Sequence, residues 1–313
     1  MAADLTSAPL RIAIVPDTRP AMHDAFEAAV RAGGGEPSSL AEADAIVWAD
    51  PAAVGRFPEL IAQAPSVTWV QLPFAGIEPF LPYLDARFEW TCGKGVYAPP
   101  VAEHALGLAL AGLRGIGSYA RATQWSAPTG VNLIGANVVI LGGGGIAECL
   151  LDLLAPFGTT TTVVRRSIAP MPGAARVVGL DQLSSVLGDA VLVVIALALT
   201  PETTGIVDAA FLAAMRPDAW LVNVGRGGHV VTADLVRALR AGVIGGAALD
   251  VTDPEPLPAG HELWSLPNCI VTPHIANTPD MGLPLIAERV RLNVARRVAG
   301  EPLVGVVDVD LGY

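Results

Sequence analysis

Apolar residues recur in short runs of about four to eight, broken by Gly, Pro or a charge, and these runs alternate with stretches of helical spacing. Residues 10–15, 45–48, 67–72 and 88–92 read as strands. Residues 20–32 read as a helix, with Ala21, Ala25, Ala28 and Ala29 at helical spacing and Gly33-Gly34-Gly35 as a stop, and 56–64 as a shorter one. A long helix is expected over 99–114, with Pro near its start, where the missing N–H does no harm. The alternation then restarts. Strands are expected at 137–141, 160–164, 191–196, 219–224, 245–250 and 269–272, and helices at 146–157, 179–187, 208–214, 233–241 and 281–299. This rhythm predicts βαβ units and an α/β fold of two doubly wound parallel-sheet domains. The tail after Pro302 is expected to pack back on the first domain, giving 1–98 with 283–313 as one domain and 99–282 as the other.

Composition narrows the function. The chain has 313 residues, of which 52% are hydrophobic and 16% charged, enough to bury two cores and too apolar for a disordered chain. No apolar run approaches the roughly 18 residues of a membrane helix, and the first residues lack a basic start, so neither a membrane segment nor a secretory signal is expected. A net charge of −11 argues against a general nucleic-acid binder. Cys92, Cys149 and Cys269 are odd in number and scattered, which is neither a disulfide framework nor a metal site, and a reducing cytoplasm is expected.

The segment NVVILGGGGIAECLLDLLAPFG places Gly142-x-Gly144-x-x-Ala147 between a strand and a helix. Glycines there allow a tight turn and close approach of the backbone to a pyrophosphate, which the free N–H groups of the helix start then hold. About twenty residues on, an acidic residue usually takes the ribose 2′-hydroxyl of NAD. Here the next strand ends Val163-Val164-Arg165-Arg166-Ser167. Two guanidiniums and a hydroxyl form a clamp for a 2′-phosphate, so NADP(H) is the expected cofactor, with NAD(H) as the secondary one. A solvated Arg pair at a strand end is the alternative reading.

Three reactive residue types fall just after expected strands: Arg226 in VNVGRGG, Glu255 in DVTDPEPLP and His274 in IVTPHIAN. Ligands of a doubly wound sheet lie beyond the carboxyl ends of its strands, so the three would converge. Arg can grip a carboxylate and polarise a carbonyl, and His can pass a proton to the oxygen as hydride reaches carbon, the activity weakening as pH rises and imidazolium is lost. A bonded Glu favours imidazolium and orients the ring. Taken singly, Arg226 also reads as a turn cap, Glu255 as a loop acid and His274 as a core or loop histidine. His23, His104, His229 and His261 read as structural.

With these residues the chain resembles the D-isomer-specific 2-hydroxyacid dehydrogenases. The matching stretches are VAEHALGLALAGLR (101–114), the glycine run (142–147), LTPETTGIVDAAFLAAMRPDAWLVNVGRG (199–227), GGAALDVTDPEPLP (245–258) and LWSLPNCIVTPHIA (263–276). The resemblance implies a Rossmann cofactor domain inserted into a flavodoxin-like substrate domain, and a homodimer. It makes Arg226, Glu255 and His274 catalytic. It assigns Gly142, Gly144, Gly145, Ile146, Ala198, Thr203, Val224, Gly225, Arg226 and His274 to the cofactor, with Asp250 on the nicotinamide amide. Phe74, Ala75 and Gly76 of the PFAGIE loop, with Arg226 and His274, would take the substrate. Phe74 and Glu78 replace a common Gly and Asp of the family, and Arg165 replaces its acidic residue, as in the NADP-using glyoxylate/hydroxypyruvate reductase branch. The implied reaction is hydride transfer between NADP(H) and a small 2-keto or 2-hydroxy acid. A dinucleotide sensor of corepressor type and an NAD-dependent phosphoglycerate- or formate-type dehydrogenase are the rival readings. Lys94, the only lysine, reads as an exposed loop residue, with a second anionic substrate group as its alternative partner.

Overall fold

The computed structural model describes residues 9–309, which divide into two compact units, one of 9–97 with 278–309 and one of 98–277. Among the described residues the first unit holds a five-stranded sheet, every pairing in it parallel, in the order β2-β1-β3-β4-β5. Its strands are β1 (Arg11–Val15), β2 (Glu36–Pro37), β3 (Ala45–Trp48), β4 (Trp69–Gln71) and β5 (Glu89–Thr91), with α1 (Pro20–Ala32) and α2 (Phe57–Ile61) between them. This 2-1-3-4-5 order is that of flavodoxin-like sheets. All four residues of β3 are buried, as expected of a parallel strand covered on both faces. The core is aromatic: Trp48 meets Phe80 edge-on at 5.5 Å, and Phe57 stacks obliquely on Trp90 at 5.3 Å. Each buried indole N–H finds an acceptor, Trp48 on Asp50 O, Trp69 on Thr91 Oγ1 and Trp90 on Asp85 O.

The second unit opens with α3 (Ala98–Leu113) and α4 (Ile116–Tyr119). Its seven strands are β6 (Asn137–Leu141), β7 (Thr160–Val164), β8 (Arg176–Val178), β9 (Leu192–Ile195), β10 (Trp220–Asn223), β11 (Gly246–Leu249) and β12 (Cys269–Val271). They pair in the parallel order β12-β11-β10-β9-β6-β7-β8. Counted from β6 this is 3-2-1-4-5-6 with a seventh strand added, a Rossmann sheet whose order reverses between β6 and β9. The helices α5 (Gly145–Leu154), α6 (Leu183–Leu187), α7 (Ala209–Ala214) and α8 (Thr232–Ala241) connect the strands. Asp208 caps α7 by accepting from the Phe211 N–H at 2.8 Å. On one face of the sheet α3 and α5 share a core with β6, to which Ala102, Ala105 and Ala109 of α3 and Ala147 of α5 all belong. A small residue at position 147 lets the two helices approach.

The chain then returns to the first unit through α9 (Pro279–Val298). The crossing lies at Thr278 rather than at 283, because the Thr278 hydroxyl caps α9 from the Met281 N–H and Pro279 takes its first position. Asn293, fully buried on α9, donates to Gln71 Oε1 of β4 and to Val304 O and accepts from the Val304 N–H. That buried amide ties the last helix and the tail to the first sheet.

Candidate active site

The site grows from the point where the second sheet reverses. Gly142, which follows β6, has φ +113, and a Cβ there would lie 2.4 Å from Ala196 O beyond β9. Only glycine permits both the conformation and the approach. The next residues turn into α5, whose N-cap, Gly144, has nothing within 4 Å of where a Cβ would stand. Gly145 and Ile146 begin the helix, and no side chain caps its first N–H groups. An open space before an uncapped helix start is an anion site, so the residues present fit a dinucleotide pyrophosphate.

Arg165 follows β7. Its Nη2 donates to Ala169 O at 2.6 Å, its side chain lies against Gly143, and its Nε is buried with no hydrogen-bond partner. Arg166 and Ser167 beside it are exposed. A buried, unsatisfied guanidinium N–H costs free energy until an acceptor arrives, and a phosphate oxygen is the acceptor that suits it. No carboxylate stands among residues 165–167 to oppose one.

The β9 loop is organised from within. Thr203 is buried; its hydroxyl donates to Ala198 O at 2.8 Å and accepts from the Thr200 N–H at 2.8 Å. Val224 and Gly225 leave β10 close to that loop, and a Cβ on Gly225 would lie 3.1 Å from Leu197 O.

Arg226 is set by buried polar groups that local pattern does not reveal. Asn223, fully buried at the end of β10, accepts from the Gly225 N–H and donates to Arg226 O, both at 3.0 Å. His229, also fully buried, has Nδ1 at 2.9 Å from Arg226 O and Nε2 at 3.3 Å from Ala198 O. Gly227 completes the placement, since a Cβ on it would overlap Thr252 O at 1.9 Å. The β10 and β11 loops therefore touch backbone to backbone, with Arg226 half-buried beside the contact.

His274 and Glu255 meet directly, Nδ1 to Oε1 at 2.6 Å, across 19 residues of sequence. Both side chains are about half exposed, at 50% and 42%. His274 has φ +53, alone among the described non-glycine residues in the left-handed region. A strained backbone persists only where its surroundings impose it. Asp250 does so here. Its carbonyl accepts from the His274 N–H at 2.8 Å, and its carboxylate accepts from the Thr272 hydroxyl and from the N–H groups of Ile275 and Ala276. His104 Nε2 lies 3.3 Å from the same carboxylate. Burial pushes the Asp250 carboxyl up, but the hydrogen bonds from His104, Thr272, Ile275 and Ala276 outweigh it and hold its pKa at about 2. The Asp250 oxygens thus face the His274 loop and His104. A cavity of about 250 Å³ lies against Asp250, Glu255, Trp264 and His274.

Thus Arg226, Glu255 and His274 follow β10, β11 and β12, three neighbours in one parallel sheet, and the glycine turn leaves the same edge two strands from β10, about 10 Å away. Phe74, Ala75 and Gly76 follow β4 in the first unit, where the Phe74 ring packs on Phe80 at 5.8 Å. Lys94 is exposed, and its carbonyl accepts from Arg289.

Known proteins resemble this chain in sequence and fold. The profile of the D-isomer specific 2-hydroxyacid dehydrogenase NAD binding domain matches residues 106–276. A protein of Corynebacterium melassecola described as "uncharacterized protein in proB 3'region" is 38% identical over 303 residues, 94% of this chain and 98% of its own. Glyoxylate/hydroxypyruvate reductase A of Serratia proteamaculans is 37% identical over 175 residues, 56% of this chain and 55% of the reductase, so that match spans about half of each. The crystal structure of a D-isomer specific 2-hydroxyacid dehydrogenase from Xanthobacter autotrophicus Py2, in complex with NADPH and MES, superposes with a TM-score of 0.82 at 27% identity, over 98% of this chain and all of that one.

Proposed function

The chain belongs to the D-isomer specific 2-hydroxyacid dehydrogenase family, and on that premise we propose that it reduces small 2-keto acids of the glyoxylate and hydroxypyruvate class with NADPH. It is an NAD(P)-dependent oxidoreductase. The observation that carries the proposal is the 2.6 Å contact between His274 and Glu255 on the loops next to Arg226. The Arg226 guanidinium draws electron density from the keto oxygen and pairs with the substrate carboxylate. His274 delivers the proton to that oxygen from Nε2, since Nδ1 is engaged by Glu255. Glu255, in contact with Nδ1, selects this ring orientation. By resemblance, the Phe74–Gly76 turn of the first unit is assigned to the substrate carboxylate.

The cofactor, when bound, supplies the hydride. Gly142, Gly144, Gly145 and Ile146 would hold its pyrophosphate, and Arg165, Arg166 and Ser167 a 2′-phosphate. The unpartnered Arg165 Nε and the absence of a carboxylate beside it favour NADP(H) over NAD(H). Asp250, Ala198 and Thr203 support this reading by shaping the loops around Val224, Gly225 and His274.

A panel of 2-keto acids followed by NADPH and NADH absorbance tests the proposal. Turnover of glyoxylate or hydroxypyruvate with NADPH preferred is expected. Tight NADPH binding without turnover of any acid would replace the enzyme with a dinucleotide sensor.

We also propose a homodimer in the cytoplasm. Trp125 is fully exposed, and Ile116 and Ile134 are 54% and 75% exposed, on the same 114–134 stretch of the second unit. Such apolar exposure suits a surface covered by a second copy. Light scattering should give twice the chain mass, and Trp125→Asp should shift it toward the monomer. A wild-type monomer at micromolar concentration would refute pairing. The described cysteines are all free, in keeping with a reducing compartment. Among the described residues no helix is long and apolar enough to cross a membrane.

A further inference from the structure

In the first unit the turn at 73–76 is gripped from behind by one segment of chain. The Tyr97 hydroxyl donates to Pro73 O at 2.5 Å, the Gly93 N–H to Phe74 O at 2.8 Å, and the Cys92 thiol to Ala75 O at 3.9 Å. Three successive carbonyls thus point onto residues 92–97. The peptide bonds between them are trans, and in a trans peptide unit the C=O and N–H point to opposite sides. With the Phe74 and Ala75 carbonyls turned inward, the N–H groups of Ala75 and Gly76 must point outward. Ala75 is exposed, and neither N–H has a protein acceptor among the described residues. Two successive outward amides form a concave anion site.

The grip depends on groups that remain donors. Burial pushes both the Tyr97 phenol and the Cys92 thiol up, so each keeps its proton across the working range. Gly93 gives the turn room: a Cβ on it would lie 3.1 Å from the Phe74 carbonyl carbon and 3.2 Å from its oxygen, close enough that the turn would have to give by a few tenths of an ångström. A methyl group there would push the turn outward and tilt the peptide that carries the Ala75 N–H.

We propose that Tyr97 is a positioning residue which, with Gly93, holds the 73–76 turn so that the Ala75 and Gly76 amides present themselves to the substrate carboxylate; the proposal rests on the reading of that turn as a carboxylate site. The Tyr97 hydroxyl anchors the peptide that enters the turn, ahead of the one that the Gly93 amide holds and that carries the Ala75 N–H, while the Cys92 thiol holds the peptide that carries the Gly76 N–H. The cost of losing the hydroxyl therefore falls on binding of the acid and not on the chemical step.

Tyr97→Phe keeps the ring and removes only the hydroxyl. Losing one hydrogen bond of ordinary strength should raise KM for glyoxylate about fivefold. The inhibition constant of oxamate, a carboxylate that mimics the substrate, should rise in parallel, while kcat and NADPH affinity stay unchanged. Gly93→Ala reaches the same turn from a different atom and should show the same split between KM and kcat. Unchanged KM and oxamate inhibition in both variants, with a wild type that reduces glyoxylate, would overturn the positioning role alone. So would a joint fall of kcat and NADPH affinity, which marks a merely structural tyrosine. A wild type that reduces no 2-keto acid would instead overturn the substrate reading beneath it.

Discussion

The loops after β10, β11 and β12 and the loop after β7 leave the same edge of one sheet, yet they are built in opposite ways. In the first set the backbone is over-determined. Asn223 and His229 are fully buried and Asp250 nearly so, and their hydrogen bonds hold the main chain of residues 225–226 and 274–276. The second, Arg165 to Ala169, is mostly exposed, with one short bond from Arg165 to Ala169 O. Proton transfer to a carbonyl needs atoms placed within fractions of an ångström, so rigidity is built under His274 and Arg226. A 2′-phosphate is gripped by charge at the ends of long side chains, which tolerate a looser frame. The catalytic loops should therefore fail abruptly when altered, and the arginine loop should retune.

The largest effect is expected where the frame delivers its one proton donor. His274→Ala should lower kcat by roughly 10²–10⁴-fold, the usual worth of a positioned acid, and leave NADPH affinity unchanged. Stopped-flow turnover and fluorescence titration of NADPH measure the two separately. Retained turnover would show that the strained loop serves some other purpose.

A smaller and different effect is expected from the exposed loop. Arg165→Asp puts a carboxylate where a 2′-phosphate would lie, and the preference for NADPH over NADH, as a ratio of kcat/KM, should fall about 10–100-fold, the worth of one charge-assisted hydrogen bond. Because Arg165 makes a single bond to the loop, melting temperature should hold. An unchanged ratio would place the selectivity elsewhere, and a collapse of stability would show that the two regions are not built differently.

The same contrast decides what can be read in the sequence. Strands β3, β6 and β7 begin and end where expected: β3, and β6 after Asn137, are the continuous apolar runs of parallel strands buried on both faces, and β7 is five β-branched residues. The edge strands β2 and β8, of two and three residues, left no such run and were absent from the expectation, as was the single turn of α4. The start of α9 was also misplaced, although Thr278-Pro279 carried the signal of a cap followed by proline. At the site, the glycine turn and the residues Arg226, Glu255 and His274 were legible from type and position after strands. What lies beneath them was not. His104 reaches Thr272 across 168 residues, and Asn223 is an ordinary polar residue until its burial is known. Such groups act through three-dimensional neighbours, and local spacing does not carry them.

The smallest effect probes the frame itself, through Asp250. Its pKa of about 2 in the folded protein lies below the ordinary carboxylate value of 3.8, so the unfolded chain binds the proton more tightly. The charged, hydrogen-bonded form then contributes stability that is complete above about pH 4 and is lost as pH falls toward 2. The difference corresponds to about 2 kcal/mol, and the side chain is 1% exposed, so solvent screens little of it. The loss should appear first in the loop it holds. Amide exchange at Ile275 and Ala276 should quicken between pH 4 and pH 2 ahead of the β6 and β9 amides, while the exposed 165–169 loop, which has no such anchor, should show no step in that range. In Asp250→Asn, with no proton to gain, the step should vanish and the loop should exchange faster at every pH. A step that survives in the variant would move the acid sensitivity to another carboxylate and leave the His274 backbone supported by the sheet edge alone.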